Sequence, residues 1–474
     1  MATAIWWIRR DLRLHDNPAL AEAAKSEFIL PLFILDPRQL ESEYASERRL
    51  GFMQAGLRKL DESLAARGSR LIVRRGLPEQ VLPRLVQEVG ADLIFAAAEI
   101  SPFGRARDRQ IAARLPLQLL PGITIRPPDE IVKANGEPYL VFTPYRKAWR
   151  SADPPAVPLA APEKLRMPDD ITGESLPETP SYDQKLSFPA GEGAALARLK
   201  TFTYGSPATI DGYGDGRDRM AEDRTSRLSP YLRFGMLSPR TAARAAFDVI
   251  DASAGQDGSG PETWLSELIW REFYFSILYH FPHVRRRSFR PEYDAIRWRN
   301  DPSEYQAWTQ GQTGYPAVDA GMRQLLATGW MHNRARMITA SFLVKDLLID
   351  WRWGERWFMQ HLLDGDPASN NGGWQWTAGT GTDAAPYFRI FNPVLQSKRY
   401  DPDGEYIRRW VPELQPLTTK EIHEPWLMPA ARQAALGVRI GKTYPAPIID
   451  HSFARQRTLD AYRAAREQNS LARE

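Results

Sequence analysis

The segment 363–393 concentrates residues that could bind a large flat ring. It reads LDGDPASNNGGWQWTAGTGTDAAPYFRIFNP, with amides, glycines and two tryptophans between carboxylates and a Phe-Arg-Ile-Phe-Asn-Pro run. Asn370 and Asn371 offer neutral donors and acceptors, the glycines after them allow close backbone approach, and Trp374 and Trp376 supply π-faces. An exposed loop is the structural alternative, and we favour a site for a heteroaromatic cofactor.

A second polar cluster lies in TSRLSPYLRFG, where Thr225, Ser226 and Ser229 stand beside Arg227. Hydroxyls and backbone N–H groups at the start of a helix can hold a pyrophosphate. Serines before a helix are as often simple helix caps, so this segment alone leaves both functions open.

The segment TWLSELIWREFYFSILYHF predicts a helix that mixes an acid with tryptophans. Helical spacing places Trp264, Glu267 and Arg271 along one face, with Trp270 at its edge. If buried, Glu267 could hydrogen-bond a base or donate a proton, because desolvation raises the pKa of a carboxyl group. The alternative is a surface ion pair between Glu267 and Arg271, which would contribute little stability.

The segment GWMHNRARMITASF predicts another helix with functional side chains. Asn333, Arg336 and Met337 share one face, and Arg334 is adjacent to it. Arg336 could pair with either carboxylate of residues 364–366, and Met337 offers a polarizable packing surface. A methionine on a helix is more often part of a core, which is the structural alternative here.

Composition excludes several classes of chemistry. The 474 residues contain no cysteine, so disulfides, thiolate catalysis and thiolate metal sites are excluded. The pair His280 and His283 is interrupted by Pro282, and we expect no metal site. A net charge of +4 permits a local basic patch. No apolar run approaches about 18 residues, which predicts a cytoplasmic protein without a membrane anchor.

The elements that position these residues predict an α/β part followed by a helical part. Short apolar runs at residues 4–8, 28–35, 70–73 and 93–98 alternate with helical patterns, which is typical of a Rossmann-like parallel sheet. The clearest helical pattern carries Leu50, Met53, Leu57, Leu60 and Leu64, before Gly68. No Gly-x-Gly-x-x-Gly follows the first run, which disfavours an ordinary dinucleotide site there.

Proline content marks a long linker between the two parts. Residues 151–190 contain eight prolines and few periodic apolar positions. We therefore predict an α/β domain over residues 1–130, a Pro-rich linker over 131–195 and a helical domain over 196–474. Within the last, Ser238 followed by Pro239 fits a helix start, and residues 263–279 and 317–348 continue in helical period.

Five segments of the chain resemble signatures of the DNA photolyase and cryptochrome family, in family order and nearly end to end. They are RRDLRLHDNPAL, TSRLSPYLRFGMLSPR, ELIWREFYFSILYHFP, GWMHNRARMITASFLVKDLLIDWR and DGDPASNNGGWQWTAGTGTDAAPYFRIFNP. The match is to photolyases that repair cyclobutane pyrimidine dimers, the deoxyribodipyrimidine photo-lyases. It implies FAD in a folded, U-shaped conformation within the helical domain, an antenna-binding α/β domain, and UV-damaged DNA as the partner of a monomer.

The resemblance also implies which residues bind FAD. The phosphate and ribose contacts would be Tyr213, Thr225, Ser226, Arg227, Leu228 and Ser229. The isoalloxazine contacts would be Asn333, Arg336, Asp364, Asp366 and Asn370, with Asn370 facing the flavin N5 and Arg336 paired with Asp364. Trp264 and Arg271 complete the implied cofactor-binding set.

The implied reaction is electron transfer from light-excited reduced flavin to a flipped-out dimer, with return of the electron after the ring splits. Glu267 would bind the pyrimidine edge, and Trp270 and Trp376 would sandwich the dimer. Asn333, Arg334 and Met337 would complete the wall of the pocket. Together with Asn370, these side chains form the implied catalytic set.

Two further sets of residues come from the same resemblance. Trp374, Trp351 and Trp298 match the family's chain of tryptophans that re-reduces the flavin. The candidates for DNA phosphate contacts are Arg217, Arg334, Arg389 and Lys398. The triplet Arg285, Arg286 and Arg287 is nearby in sequence, and we interpret it as solvated surface.

The antenna chromophore is not fixed by the sequence. The pattern SPFGRARD resembles family members that bind a deazaflavin, such as 8-hydroxy-5-deazaflavin, or FMN, because folate binders carry Asn-Glu at Phe103 and Gly104. Methenyltetrahydrofolate is therefore disfavoured. We expect an antenna near Arg10, Phe33, Asp36 and Arg105.

Three alternatives stay open but disfavoured. A cryptochrome-type light receptor without repair activity would carry an acid or a cysteine at Asn370. Repair of six-four photoproducts would require a second histidine where the chain has His332-Asn333. A nucleotidyl-transfer enzyme, suggested by Leu14-His15-Asp16-Asn17, would leave the helical domain unexplained.

Overall fold

The computed structural model describes residues 2–177, 188–252 and 259–471. The chain forms two compact units. The first contains Met1–Gly214, Thr225–Pro282 and Leu363–Ala368, and the second contains Asp215–Arg224, His283–Leu362 and Ser369–Glu474. Each unit thus combines segments that are distant in sequence. The division into residues 1–130, 131–195 and 196–474 stays a prediction.

A parallel five-stranded sheet forms the N-terminal part of the first unit. The strands are β1 (Thr3–Ile8), β2 (Phe28–Leu35), β3 (Ile72–Arg75), β4 (Leu93–Ala97) and β5 (Leu117–Leu120), in the order β3-β2-β1-β4-β5. The predicted parallel sheet is confirmed, although β3 begins at Ile72 rather than at residue 70. β5 was not predicted, because this edge strand is half exposed and has no continuous apolar run.

All other regular elements of the described chain are helices. Five of them alternate with the strands, and the part after the Pro-rich stretch is mainly helical, as predicted. In chain order the helices are α1 (Pro18–Ala23), α2 (Pro37–Leu40), α3 (Glu47–Ala65), α4 (Pro78–Val89), α5 (Pro102–Ala112), α6 (Phe142–Ser151), α7 (Glu192–Tyr204), α8 (Tyr213–Gly216), α9 (Ser229–Phe234), α10 (Pro239–Ala252), α11 (Ser259–His280), α12 (Pro302–Thr309), α13 (Pro316–Thr328), α14 (Asn333–Ser341), α15 (Trp351–His361), α16 (Pro367–Ala378), α17 (Pro393–Tyr400), α18 (Glu405–Trp410), α19 (Ala430–Leu436) and α20 (His451–Leu471). Short 3-10 turns occur at Pro282–Arg285, Pro291–Ala295, Pro412–Leu414 and Pro425–Leu427.

The order of the strands brings two charged segments to one edge of the sheet. β1 pairs with β2 on one side and with β4 on the other, so the chain reverses its direction of growth between β1 and β4. Arg9 and Arg10 follow β1, and Glu99 follows β4. In parallel α/β sheets, the carboxyl edge at such a reversal is a common position for ligands.

The predicted long helix after β2 is confirmed as α3. Its Leu57, Leu60 and Leu64 are buried, and the Ser46 hydroxyl accepts a hydrogen bond from the Arg49 N–H at the start. The helix ends at Ala65, and Gly68 then adopts a φ of 83°. The apolar stripe of this helix therefore lies in the core of the first unit, as its spacing predicts.

The described part of the Pro-rich stretch between α6 and α7 contains no helix or strand. It follows the α/β layer, since the Leu165 N–H donates to the Arg67 carbonyl and the Glu174 N–H donates to the Val73 carbonyl, each at 2.9 Å. Leu165 and Ile171 are buried. The linker is thus fastened to the first unit by backbone hydrogen bonds and by two apolar anchors.

In the second unit, the predicted helical run 317–348 is interrupted. α13 ends where Gly329 adopts a φ of 71°, and α14 begins after His332. A π-helical turn, Phe342–Asp346, follows α14 directly. Gly329 was the available signal for the first break, because glycine favours the left-handed conformation that ends a helix. No described helix has the length and apolarity needed to cross a bilayer.

Candidate functional site

The turn that precedes α9 leaves backbone donors open. Arg198 donates to the carbonyl oxygens of Thr225 (2.8 Å) and Ser226 (2.9 Å). Arg227 adopts a left-handed backbone conformation, with a φ of 51°, which tightens the turn. The backbone N–H groups of Thr225 and Ser226 have no acceptor among the described residues. These donors have the character that the sequence predicts for a phosphate site.

Three other predicted FAD contacts lie in apolar surroundings of the first unit. Tyr213 and Trp264 both pack against Phe202, with ring centroids 5.8 Å and 5.0 Å away. Leu228, at the start of α9, is buried. These side chains can therefore form the wall of a cofactor site, and their rings are held by a shared aromatic neighbour.

The two aspartates of the segment Leu363–Ala368 are engaged by polar groups of the first unit. The Ser229 hydroxyl donates to Asp364 Oδ2 at 2.6 Å. Arg10 forms an ion pair with Asp366, with 2.5 Å between Nη2 and Oδ2. Ser229, predicted as a phosphate contact, therefore also holds a predicted flavin contact. The predicted pair between Arg336 and Asp364 stays a prediction.

The α11 helix carries Trp264, Glu267 and Trp270 as its sequence predicts. Trp264 is buried, whereas Glu267 and Trp270 are half-buried. Arg271 does not form the exposed pair with Glu267 that was the alternative: its side chain is 14% exposed and pairs with Glu272 at 3.5 Å. Burial lowers the pKa of Arg271. The acid beside the tryptophans is thus separate from the ion pair of the helix.

Glu272 is a structural residue that the sequence analysis missed. Its Oε2 accepts hydrogen bonds from the N–H groups of Ile125 and Arg126, each at 3.0 Å. Burial raises the pKa of Glu272 to about 7, opposed by the neighbouring Arg271. An acid inside the aromatic run REFYF was the available signal. Glu272 ties α11 to the chain after β5.

Trp270 is supported on one face by another ring. Phe142, the first residue of α6, stacks on it with centroids 3.6 Å apart and an interplanar angle of 8°. Because the indole is half-buried and held in this way, it provides a rigid aromatic platform. Its position one helical turn from Glu267 combines stacking and hydrogen bonding on one helix.

In the second unit, α14 presents the predicted face. Asn333 is exposed, Met337 is half-buried, and the Asn333 amide lies 3.7 Å from the Met337 sulfur. His332 caps the helix, since its Nδ1 accepts from the Arg334 N–H at 3.1 Å. Burial lowers the pKa of His332 to about 4, so the imidazole is neutral and can act as an acceptor.

The two arginines of α14 have different partners in the second unit. Arg334 donates twice to Asp218 Oδ1, at 2.7 Å and 3.2 Å, and its guanidinium lies over the Tyr400 ring. Arg336 donates to the Met331 carbonyl at 2.8 Å. Asp218 was missed by the sequence analysis, because nothing in the local sequence links it to Arg334. Arg334 is thus held in place by an acid and a ring.

The amide-rich segment lies on the helix α16 rather than on a loop, and its two asparagines differ in function. The Asn370 amide nitrogen donates to the Glu355 carbonyl at 2.9 Å. The Asn370 Oδ1 has no hydrogen-bond donor among the described residues and can accept one from a ligand. Asn371 was expected to be an open amide, and this is wrong: it is buried and donates to the Val284 carbonyl. Gln375 donates to the same carbonyl. Adjacent residues on a helix point about 100° apart, so only one of the asparagines can face a ligand.

The three tryptophans of the predicted chain lie in and beside one core cluster. Trp374 and Trp351 are buried in it, and Trp298 is half-buried and packs against it. Trp374 lies edge-on to Phe358 and Trp308, with centroids 5.0 Å and 6.1 Å away. Trp298 is the most exposed of the three, and the tryptophan chain itself stays a prediction.

Trp376 and the basic candidates are more accessible. Trp376 is half-buried and has no ring contact among the described residues, and Arg217 is half-buried. Arg389 is exposed, whereas Lys398 pairs with Glu424 at 2.5 Å. In the triplet, Arg286 and Arg287 are exposed and Arg285 is half-buried, which agrees with solvated surface.

These residues fit an FAD molecule by the chemistry of their donors and acceptors. The turn around Thr225 and Ser226 offers N–H groups and hydroxyls, which suit an anionic diphosphate. Asn370 offers a fixed carbonyl acceptor, which suits the N–H of a reduced flavin ring. The turn belongs to the first unit and Asn370 to the second, and neither segment contains a dinucleotide fingerprint.

Comparison with known families agrees with this chemistry. The model "DNA photolyase" matches residues 4–163, and the model "FAD binding domain of DNA photolyase" matches residues 264–464. The chain therefore belongs to the DNA photolyase family. Among its relatives, a deoxyribodipyrimidine photo-lyase of Escherichia coli is 43% identical over 98% of this chain and 100% of its own length. That of Agrobacterium fabrum is 40% identical over 98% of both chains.

Solved structures of the family have the same fold. A class III photolyase from Agrobacterium tumefaciens has a TM-score of 0.92 and 39% identity, covering 98% of both chains. A Synechocystis cryptochrome has a TM-score of 0.90 and 33% identity over 97% of this chain and 99% of its own. A Sulfolobus tokodaii photolyase, described with two FAD molecules, has a TM-score of 0.80 and 32% identity over 98% of this chain and 100% of its own. The predicted fold class and family are confirmed.

Proposed function

We propose that this chain repairs cyclobutane pyrimidine dimers in DNA with the energy of blue light. The main support is the arrangement of side chains on α11. Trp270 stacks on Phe142 and lies one helical turn from the half-buried Glu267. Relatives at about 40% identity over nearly the whole chain are deoxyribodipyrimidine photo-lyases, in line with the predicted enzyme class. A base can stack on the indole while the acid binds its edge.

FAD supplies the light absorption and the transferable electron, and the protein supplies orientation and electrostatics. We assign phosphate and ribose binding to Tyr213 and to the turn Thr225, Ser226, Arg227, Leu228 and Ser229, with Trp264 and Arg271 as further contacts. Arg336, Asp364, Asp366 and Asn333 would bind the isoalloxazine ring. Asn370 would accept a hydrogen bond at N5, because its amide nitrogen is already held by Glu355.

We assign the contacts with the flipped dimer to residues of α11, α14 and α16. Glu267 would hydrogen-bond the pyrimidine edge, and Trp270 and Trp376 would stack on it. Trp376 suits this role because its ring has no aromatic neighbour among the described residues. Asn333, Arg334 and Met337 would line the pocket, with Arg334 held by Asp218.

DNA binding would depend on phosphate contacts around this pocket. Arg389 is the best-placed of the four basic candidates, because its exposed side chain has no ion-pair partner among the described residues. Arg217 is the second candidate. Arg334 and Lys398 would have to exchange their present acidic partners, Asp218 and Glu424, for phosphate oxygens. Such exchange predicts binding that weakens steeply with salt.

Re-reduction of the flavin would proceed along Trp374, Trp351 and Trp298. The buried cluster that contains the first two residues excludes water from them, and the half-buried Trp298 would receive electrons at the surface. The repair cycle itself needs no net electron, because the electron returns to the flavin after each repair. The three tryptophans would therefore serve to activate the enzyme rather than to repair DNA.

A second chromophore would bind at the carboxyl edge of the sheet. A deazaflavin or FMN remains our proposal over methenyltetrahydrofolate, and the Sulfolobus tokodaii photolyase with two FAD molecules shows that a second flavin occurs in a similar structure. Asp36 caps α2, Phe33 is buried in β2, and Arg105 lies over the Tyr279 ring. We further propose that the enzyme acts in the cytoplasm as a monomer.

The decisive experiment measures dimers in an irradiated oligonucleotide. Purified enzyme with FAD, reduced chemically, should remove the dimers under blue light and not in the dark. Stable FAD binding without light-dependent repair would refute the proposal and favour the cryptochrome alternative, which the likeness to the Synechocystis structure keeps in view. An absorption spectrum before and after denaturation identifies the second chromophore.

A further inference from the structure

Arg10, at the edge of the sheet, forms an ion pair with the segment Leu363–Ala368. Arg10 follows β1, and its side chain is 12% exposed. Its Nη2 lies 2.5 Å from Asp366 Oδ2, and its Nη1 lies 3.9 Å from Glu99 Oε2, in the segment after β4. Arg10 therefore bridges an acid of the sheet edge and an acid of the segment that carries predicted flavin contacts.

The carboxylate of Asp366 is fixed at both oxygens. Oδ2 is held by Arg10, and Oδ1 accepts a hydrogen bond from the Ala368 N–H at 2.8 Å, in the first turn of α16. A carboxylate at a helix start is favoured by the helix dipole. One carboxylate oxygen is bound by the first turn of α16 and the other by the Arg10 guanidinium. Arg10 therefore helps to set the orientation of the carboxylate.

A second arginine holds the backbone beside Asp366. Arg233 donates to the Gly365 carbonyl at 2.6 Å, and its own carbonyl accepts from Arg10 Nε at 3.4 Å. Burial, together with the charge of Arg10, lowers the pKa of Arg233 to about 9, whereas Asp366 opposes this. The charge of Asp366 therefore offsets part of the repulsion between Arg10 and Arg233.

We propose that Arg10 is a positioning residue for FAD that acts through Asp366. It holds the Asp366 carboxylate in place for the flavin, although it follows the first strand of the sheet. The inference rests on the proposed flavin contacts of Asp364 and Asp366, and it adds to them a residue that no motif of the flavin segment contains.

The test compares Arg10→Met and Arg10→Lys with a matched control, Arg240→Met. Arg240 also pairs with a buried acid of the first unit, Asp16, and its side chain is 13% exposed, close to the value for Arg10. Both Met variants therefore remove one guanidinium from a buried carboxylate and should lose similar stability. Only the Arg10 variant is expected to alter flavin binding.

The measurements are the affinity of the apoprotein for FAD and the reduction potential of the bound flavin. Arg10→Met should weaken FAD binding roughly tenfold, the value of one hydrogen bond to a charged group. The potential should become more negative, because a carboxylate that has lost one of its cations disfavours the electron-rich flavin. A tenfold change in relative affinity of the two redox forms corresponds to about 30 mV for a two-electron couple. Arg10→Lys, which keeps the charge, should restore part of both values.

A double variant separates positioning from general damage. In Arg10→Met with Asp366→Asn, the loss of FAD affinity should be smaller than the product of the two single losses, because neither partner is left charged and unpaired. Unchanged affinity and potential in Arg10→Met, or equal changes in Arg240→Met, would overturn the inference. Failure of the wild-type protein to bind FAD would instead refute the proposed function.

Discussion

Trp270 and Phe142 stack face to face, with ring centroids 3.6 Å apart and planes 8° apart. The contact joins α11 to α6 within the first unit. It leaves the indole half-buried, so the ring is both accessible and rigid. A stacking platform of this kind loses little conformational entropy when a base binds, which favours affinity.

The first prediction removes the support of this platform. Phe142→Ala should weaken binding of dimer-containing oligonucleotide about fivefold, since an aromatic pair is worth about 1 kcal/mol beyond its buried area. The flavin absorption spectrum should not change. Phe247→Ala is the matched control, because Phe247 stacks on Trp149 of the same helix α6 and does not touch Trp270. Equal weakening in both variants would show that α6 as a whole, not the platform, was damaged.

The local conformations of the predicted site residues followed from the sequence in one segment and not in another. Trp264, Glu267 and Trp270 lie on one helix, α11, whose residues are largely apolar and buried from Gly260 to Leu278. Asn370 and Trp374 lie on a helix that the sequence did not predict, since two asparagines and two glycines have low helix propensity. There the tertiary hydrogen bonds of Asn371 and Gln375 override propensity.

Residues that act as partners were beyond the reach of sequence patterns. Asp218 is far from Arg334 in the chain, and Glu355 contributes only a backbone carbonyl to Asn370. Contacts of this kind depend on the packed fold rather than on local spacing. β5 was missed for a related reason, because a half-exposed edge strand has no continuous apolar run.

The second prediction tests the substrate role of Glu267. Glu267→Ala should slow light-dependent repair by at least about tenfold, because it removes a charge-assisted hydrogen bond to the base. The flavin spectrum and FAD content should stay as in the wild type. Glu262→Ala on the same helix is the control, since Glu262 pairs with Arg150 on a more exposed face. Loss of flavin together with repair in Glu267→Ala would contradict a substrate role.

The third prediction separates two tryptophans of one helix. Trp374→Phe should abolish photoreduction of the flavin and spare repair by chemically reduced enzyme. Trp376→Ala should do the opposite, keeping photoreduction and weakening dimer binding about tenfold through lost stacking. Transient absorption and oligonucleotide binding measure the two effects. If both variants lost the same function, the two rings would not have separate partners.

The packing of Trp374 supplies a fourth prediction. A Cβ atom on Gly354 would lie 2.1 Å from Trp374 Cη2 and 2.6 Å from Leu343 Cδ2. Gly354→Ala should therefore lower the free energy of unfolding by about 1–3 kcal/mol, the usual cost of overpacking a core. It should also alter the kinetics of photoreduction, because the indole has to move. Gly373→Ala is the control, since its added Cβ meets no atom within 4 Å.

The fifth prediction concerns pH and Glu272. The groups that face this carboxyl are Arg271, Arg126 and Tyr145, together with the N–H of Ile125. Burial outweighs the arginines and raises the pKa from 4.5 to about 7. Between these values the folded protein holds a proton that the unfolded chain has released, so stability falls as pH rises through this window.

Glu272→Gln should remove that fall. The free energy of unfolding of the wild type, measured relative to the variant from about pH 5 to about pH 8, should decline by on the order of 3 kcal/mol, at about 1.4 kcal/mol for each pKa unit. Urea unfolding at a series of pH values gives this difference. A flat difference would mean that Glu272 is ionised throughout, with Arg271 outweighing burial. In that case the hydrogen bonds of the Glu272 carboxylate to the chain after β5 would not change over this pH range. The positions of Glu267 and Trp270 on α11 should then not depend on pH.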